Sequence, residues 1–298
     1  MRVLFLFLFI FRLAYSQHPQ LFFDASAFLG THIPAAVGIH SESHLALMLT
    51  HRFLFEESVL HQQLYFDTPT KSDRWGWGMQ LFLHQGSIEK YQKLGGVLSY
   101  RIPLDTQTNL YLCSQLNTKS LLWQTERIRN IEIPDPLLAS ETVFWATFDT
   151  SLLLRIRDFY GGFSLSNWNL SDARETYTLD SSLLQYKVLF GGVFELLSKH
   201  RFHGVLGMEK EDSKYSYWTR LQWEAPSGIL LAMDGGFPWQ WQGQFAFPLS
   251  NHWKFGFNYG RYSNRLNQRF LGMALQYAWI PIFRKDYPVE SLDYKFSE

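Results

Sequence analysis

Residues 252–260 read His252-Trp253-Lys254-Phe255-Gly256-Phe257-Asn258-Tyr259-Gly260, so that every odd position is aromatic and every even position is polar or glycine. Successive side chains of a β-strand point to opposite faces, and this alternation therefore predicts a strand with one apolar and one polar face. The pattern recurs, in places less strictly, at residues 74–83, 238–247 and 271–279. We predict an all-β protein whose strands share one apolar surface.

The composition of the two strand faces indicates where this surface lies. The apolar face is dominated by Trp, Tyr and Phe near the strand ends, which is typical of aromatic girdles at a membrane interface rather than of an aliphatic sandwich core. The other face carries charges and amides, among them Gln240, Gln242, Gln244 and Arg220. Such groups need partners in a dry core, whereas a hydrated or plugged lumen accepts them. The sequence therefore predicts a transmembrane antiparallel up-and-down β-barrel.

The alternation extends to about fourteen strands, an even number that suits a closed bacterial barrel. The predicted strands cover residues 44–53, 58–67, 74–84, 93–102, 108–117, 142–154, 159–167, 185–196, 201–210, 214–224, 228–234, 238–247, 252–260 and 270–279. The two longest connections, residues 118–141 and 168–184, leave from one end, and the short connections lie at the other. This asymmetry matches the long outer loops and short periplasmic turns of outer-membrane barrels.

Two of the short turns are similar in sequence. Residues 102–106 read IPLDT and residues 247–251 read FPLSN, each placed directly before an alternating strand. Proline ends a strand because it has no N–H to donate to the ladder, and Asp, Ser and Asn favour turns. We interpret the similarity as recurrent turn chemistry rather than as an internal repeat.

Composition excludes several classes of protein. Hydrophobic residues make up 46% of the 298 residues, yet the mean hydropathy is −0.16, so a bundle of transmembrane helices is excluded. The chain has 27 basic and 27 acidic residues, which gives no reason to expect nucleic acid as a partner. A single cysteine, Cys113, allows neither an internal disulfide nor a zinc cluster.

The chain divides into four segments. Residues 1–16 have a basic start, an apolar core and a small-residue cleavage site, and we interpret them as a secretory signal peptide. Residues 17–43 form a polar periplasmic or lumenal segment with no predicted strand, residues 44–279 the outer-membrane barrel, and residues 280–298 a C-terminal tail. Because many inward positions are small, we expect the 17–43 segment to fold inside the barrel and at least partly block the lumen.

No recognisable catalytic motif is present. GxSxG, GxxxxGK[ST], HExxH and a helix-opening GxGxxG are all missing, so the chain is predicted not to be an enzyme and to need no cofactor. His40 and His44 are four residues apart but lie where a loop runs into a strand, which favours a polar lining or loop role over a metal site. The charge cluster at residues 209–214 is interpreted as a solvated hairpin tip.

Five segments, in order along the chain, resemble elements of one family. Residues 17–22 (QHPQLF) resemble a Q-D-P-Q-F opening, residues 33–38 (IPAAVG) an N-P-A-Y-A-G segment, residues 100–104 a Y-R-I-P-L strand end, residues 134–136 a P-D loop element, and residues 160–167 a Y-x-G-x-S-x-x-N strand. This order is similar to that of the PorP/SprF family of outer-membrane proteins of the type IX secretion system of Bacteroidota.

The resemblance implies a non-enzymatic barrel in the bacterial outer membrane. Such a barrel assists type IX secretion, or anchors a secreted surface protein or adhesin by binding its C-terminal domain, with outer-membrane lipid and the secretion components as its other partners. The alternative is a diffusion porin or small-molecule channel, which requires only an aqueous lumen. A purely structural barrel is a further alternative.

The longer outer connection, residues 118–141, is the predicted recognition element, because binding residues concentrate on loops held by a rigid scaffold. Its candidate partner-binding residues are Trp123, Arg127, Arg129, Ile131 and Ile133. Two interpretations stay open. The apolar side chains either fold back to cap the barrel, or form a docking surface on which the arginines steer an acidic partner.

Overall fold

The protein is a closed antiparallel β-barrel of fourteen strands, in which each strand pairs with its neighbours in the chain and β1 pairs with β14. The computed structural model describes residues 25–39, 42–53, 58–72, 74–86, 89–123, 142–170, 184–196, 200–211, 214–237, 240–262 and 269–279. The strands are β1 Ser43–Phe53, β2 Ser58–Pro69, β3 Trp75–Gln85, β4 Glu89–Pro103, β5 Thr108–Trp123, β6 Thr142–Ile156, β7 Phe159–Asn169, β8 Gln185–Leu196, β9 His200–Glu211, β10 Lys214–Glu224, β11 Leu230–Phe237, β12 Gln240–Pro248, β13 Trp253–Tyr262 and β14 Arg269–Trp279. The predicted fold class is confirmed.

The faces of the strands follow the predicted alternation. On β13, Trp253, Phe257 and Tyr259 are exposed on the outer surface, whereas Gly256 and Asn258 are buried on the inner surface. Closing the sheet removes the free edges that such aromatic strands would otherwise offer for aggregation. Among the residues that the structure describes, no helix is long and apolar enough to cross a membrane.

The β4–β5 hairpin is taller than predicted. Glu89 at the start of β4 pairs with Trp123 at the end of β5, so residues 118–123 belong to a strand and not to the outer connection. Lys119 and Leu121 both point into the barrel there, so one inward position is polar and the next inward position is apolar. The predicted strand end was wrong because this stretch lacks the outward aromatics on which the prediction depended.

The two similar short turns adopt the same conformation. The Leu104 N–H donates to the Thr108 carbonyl at 2.9 Å, and the Leu249 N–H donates to the Trp253 carbonyl at 2.8 Å. Asp105 occupies the same place in the first turn as Ser250 in the second, and each accepts backbone N–H bonds from residues two and three positions later. The turn chemistry inferred from the sequence is confirmed.

The two longest gaps between consecutive strands, residues 124–141 and 170–184, leave from the same end of the barrel. We refer to it as the outer end and to the end with the short turns as the periplasmic end. The predicted signal peptide and the C-terminal tail, residues 280–298, lie outside the described residues.

Candidate functional site

A segment that precedes β1 lies inside the barrel. It consists of helix α1, Ala25–His32, followed by a 3-10 helix, Pro34–Ala36, and a turn, and we call residues 25–39 the plug segment. Its apolar side chains Leu29, Ile33 and Val37 are buried, and Ile33 has no exposed surface. The sequence predicted a segment without strands here, but it did not predict the helix.

The plug segment is hydrogen-bonded to inward side chains of three strands. The bonds run from the Gln80 amide on β3 to the Gly30 carbonyl (3.1 Å), from the Ser99 hydroxyl on β4 to the Val37 carbonyl (2.5 Å), and from the Ala35 N–H to Ser151 Oγ on β6 (2.8 Å). Buried backbone groups outside regular structure need such partners. The wall of the barrel therefore satisfies the backbone of the segment.

A fourth attachment lies at the end of the plug segment, near the periplasmic end of the barrel. The Gly38 N–H donates to Asp67 Oδ2 at 2.9 Å, and Asp67 Oδ1 lies 3.1 Å from His44 Nδ1, with both side chains buried. Gly38 has a φ of +69°, a conformation that favours glycine. A Cβ on Gly38 would lie 2.6 Å from the Gly76 Cα, so the two backbones approach too closely for a side chain.

Apolar contacts complete the seat of the plug segment. Ile33 belongs to one buried apolar cluster with Leu153, Tyr160 and Leu189 from β6, β7 and β8. Trp218 of β10 belongs to the same cluster, and the His32 ring stacks on it with 4.3 Å between the ring centroids. Together with the hydrogen bonds to β2, β3 and β4, these contacts attach the plug segment to opposite sides of the closed barrel.

A polar network lines β10, β11 and β12. At its centre is Arg220, whose side chain has no exposed surface. Arg220 Nη1 lies 3.4 Å from both carboxylate oxygens of Asp234, and its Nη2 donates to Gln222 Oε1 at 3.2 Å and to Gln244 Oε1 at 3.1 Å. Asp234 Oδ2 also accepts from the amides of Gln242 at 2.6 Å and Gln244 at 2.8 Å. The network supplies the partners that a buried guanidinium requires.

A second polar cluster surrounds Asp149 on β6. Its carboxylate accepts from the Asn117 amide at 2.9 Å and from the Asn167 backbone N–H at 2.8 Å, and it lies 3.9 Å from Lys93 Nζ. Asn167 reaches this position because the β6–β7 pairing shifts register and Asn167 adopts a φ of +67°. Such bulges redirect a residue within a ladder.

The sequence placed some of these groups correctly and missed others. Gln242 and Gln244 face inward as predicted, but their partner Asp234 was not singled out. The prediction of a solvated hairpin tip was wrong for Glu209, because its carboxylate lies inside the barrel, 3.2 Å from Lys187 Nζ. Inward position follows from alternation, whereas pairing across strands depends on register, which a single sequence does not state.

The structure describes only some of the residues predicted for the histidine and loop sites. His44 contacts Asp67, and His40 lies outside the described residues. Within the described part of the chain, no group of three or more His, Cys, Asp or Glu side chains is placed to hold a metal ion. Trp123 is the last residue of β5, and the other candidate partner-binding residues, Arg127, Arg129, Ile131 and Ile133, lie outside the described residues.

The sequence profile described as "Type IX secretion system membrane protein PorP/SprF" matches residues 16–259. This chain belongs to the PorP/SprF family. The match includes the plug segment and all strands from β1 to β12, so the family assignment covers the lumen as well as most of the wall. A comparison with curated proteins finds no match.

Solved structures with a similar fold are outer-membrane barrels of other sequence. The toluene transporter TbuX of Ralstonia pickettii is 9% identical with a TM-score of 0.54, and the alignment covers 85% of this chain and 94% of that one. The outer-membrane protein Omp33 of Acinetobacter baumannii is 6% identical with a TM-score of 0.50, over 80% and 99% of the two chains. At such identities the likeness shows the fold alone. Family and fold together place this PorP/SprF protein in the bacterial outer membrane.

Proposed function

We propose that this PorP/SprF protein acts by binding and not by catalysing a reaction. In this proposal it assists the export of a secreted surface protein or adhesin, or anchors that protein at the cell surface, by recognising its C-terminal domain. The observation that carries the proposal is the plug segment, which occupies the lumen and is attached to the wall at several points.

The attachments of the plug segment argue against the diffusion-porin alternative. A diffusion porin needs a continuous water-filled lumen, and its interior is correspondingly polar and open. Here the plug segment buries the apolar side chains of Leu29, Ile33 and Val37 inside the lumen, and hydrogen bonds to β2, β3, β4 and β6 hold the backbone of the segment. A segment fixed to four strands inside the lumen supports the proposal of a scaffold that presents its loops, since it stands in the path that a diffusing solute would take.

We place the recognition surface at the outer end. The connections at residues 124–141 and 170–184 begin there on a rigid closed wall, which is the usual setting for binding loops. Trp123, at the end of β5, and Arg127, Arg129, Ile131 and Ile133 are the residues proposed to contact the secreted partner. Apolar side chains would supply contact area, and the arginines would favour an acidic surface.

The binding role is tested by cell-surface retention of secreted proteins. Deletion of the gene should remove at least one secreted protein from the cell surface, and that protein should co-purify with the barrel. Replacement of Trp123, Ile131 and Ile133 together with Ser should remove the protein while heat-modifiability of the barrel on gels persists. The matched control is Leu104→Ser, in an exposed periplasmic turn. Unchanged surface proteins after gene deletion would reject the proposal.

Planar-bilayer conductance tests the alternative directly. The purified full chain should show no wide, steady open level, and deletion of residues 25–39 should produce one, provided that the variant remains heat-modifiable. A wide open level in the unaltered protein would support the porin function instead.

A further inference from the structure

Two histidines face each other in the outer half of the lumen. His61 on β2 and His84 on β3 are directly opposite in register, and their Nδ1 atoms are 3.3 Å apart. The two rings meet edge to face, with 4.7 Å between centroids and 64° between planes. His61 is buried, and the His84 side chain is 17% exposed, so the pair lines the wall within reach of solvent ions.

A carboxylate fixes the orientation of one of these rings. His84 Nε2 lies 2.9 Å from Glu89 Oε1, across the tight β3–β4 turn in which the Gly86 N–H donates to the Glu89 carbonyl at 2.8 Å. A carboxylate at Nε2 holds a proton on that nitrogen, so a neutral His84 directs its Nδ1 lone pair towards His61. The ring is thereby set as a ligand or as a hydrogen-bond acceptor.

The separation of the two nitrogens matches a shared metal ion. Two imidazole nitrogens bound at about 2.0–2.1 Å to one tetrahedral ion are roughly 3.3–3.4 Å apart. A hydrogen bond between the two Nδ1 atoms would also fit this distance. The carboxylate behind His84 adds the feature that metal-bound histidines commonly have, which is an acceptor for the second ring N–H.

We infer that His61 and His84 bind a divalent transition-metal ion of the zinc, copper or nickel type, with Glu89 as the positioning residue behind His84. Imidazole nitrogen suits these ions, whereas calcium and magnesium prefer oxygen ligands. Two protein ligands leave the other positions to water, so the site would be weaker than a structural zinc site, which has four protein ligands. The inference does not depend on the proposed function in secretion.

The test is Zn²⁺ titration of the full chain in detergent, purified without a histidine tag, by isothermal calorimetry. His61→Asn and His84→Asn should each abolish one binding event, or weaken it at least tenfold. Glu89→Gln keeps both imidazoles and should weaken the same event by about 10–100-fold. The control is His252→Asn, in an exposed periplasmic turn, which should leave this event unchanged.

Folding is checked by heat-modifiability. If the histidine variants misfold, Glu89→Gln decides, and a Zn²⁺ affinity within about threefold of that of the parent protein would overturn the inference. The inference is also overturned if folded His61→Asn and His84→Asn bind Zn²⁺ as the parent does. Copper(II) bound to the parent should show nitrogen hyperfine coupling that His84→Asn loses, and an unchanged spectrum would contradict the assignment.

Discussion

The two sides of the lumen accommodate inward polar groups in different ways. On the plug side, β3 and β4 turn small residues inward, such as Gly76 and Ser99, and the plug segment fills the space and takes up the hydrogen bonds. On the network side, β10, β11 and β12 turn long side chains inward, and Arg220, Asp234 and Gln244 bond to one another.

The difference shows that inward polarity alone does not decide whether a lumen is open. A wall of small residues needs a separate segment to fill the space beside it and to form its hydrogen bonds. Movement of that segment would therefore change the lumen on this side. A wall of long, mutually paired side chains is complete by itself, but it depends on every member of the network.

The largest effect is expected from Asp234→Ala on the network side. The substitution leaves the fully buried Arg220 guanidinium without its counter-ion, and loss of one partner of a buried pair costs about 3–5 kcal/mol. The measurement is the free energy of unfolding in urea, in lipid vesicles. The control is Glu224→Ala, which breaks the partly exposed pair with Lys254 (2.8 Å) and should cost less than about 1 kcal/mol. Equal losses would contradict the central place of Arg220.

The next effect concerns the outer surface of β13, the strand that borders the network side. Phe257 faces outward with 45% of its surface exposed, and Phe257→Arg near the middle of β13 should cost roughly 2–4 kcal/mol by placing a charge in lipid. Its neighbour Asn258 faces the lumen, where its Oδ1 has no hydrogen-bond partner among the described residues. Asn258→Ser should therefore be tolerated. The same urea unfolding experiment compares the two, and equal tolerance would reject the assignment of the faces.

A smaller effect is expected on the plug side from Gly76→Val. A Cβ at Gly76 would lie 2.7 Å from Ser99 Oγ and 2.8 Å from the Gly38 Cα, so the plug segment has to shift, at a cost of about 1–3 kcal/mol. Gly96→Val is the matched control, because a Cβ there meets nothing within 4 Å. Unfolding energies and bilayer conductance should change only for Gly76→Val. An unchanged Gly76→Val variant would show that the plug segment is not tightly seated.

The smallest effect distinguishes the two similar periplasmic turns. Backbone N–H bonds from Gln107 and Thr108 lower the pKa of Asp105 below its usual range, whereas Ser250 performs the same role without a titrating group. The ionised Asp105 therefore stabilises the fold above its ordinary pKa, and this contribution is lost as the pH falls through the lowered value.

The corresponding experiment compares the unfolding of the parent protein and Asp105→Ser across pH. Asp105→Ser should be slightly less stable than the parent at neutral pH, and the difference should shrink as the pH falls below about 4 and vanish below the lowered pKa of Asp105. Ser250→Ala in the second turn should produce a loss that does not change with pH. A difference between the parent and Asp105→Ser that persists unchanged into acid would contradict the role assigned to the carboxylate.

Much of the wall could be predicted from local sequence. The alternation from Trp253 to Tyr259 identified a strand and its two faces, because side-chain direction along a strand has a period of two and needs no knowledge of neighbours. The turns at Asp105 and Ser250 were recognisable for the same reason, since their hydrogen bonds join residues close in the chain. The top of β5 was missed where outward aromatics are lacking.

The sequence by itself therefore determined the barrel, its strand number, the faces of its strands, its family resemblance and the presence of a pre-barrel segment without strands. Only the tertiary structure decided where that segment attaches and which lumenal groups meet, as in the bonds from Gly38 to Asp67 and from Arg220 to Asp234. The physical reason is that these contacts depend on strand register and on closure of the sheet, and both bring together residues whose separation in the chain carries no local signal.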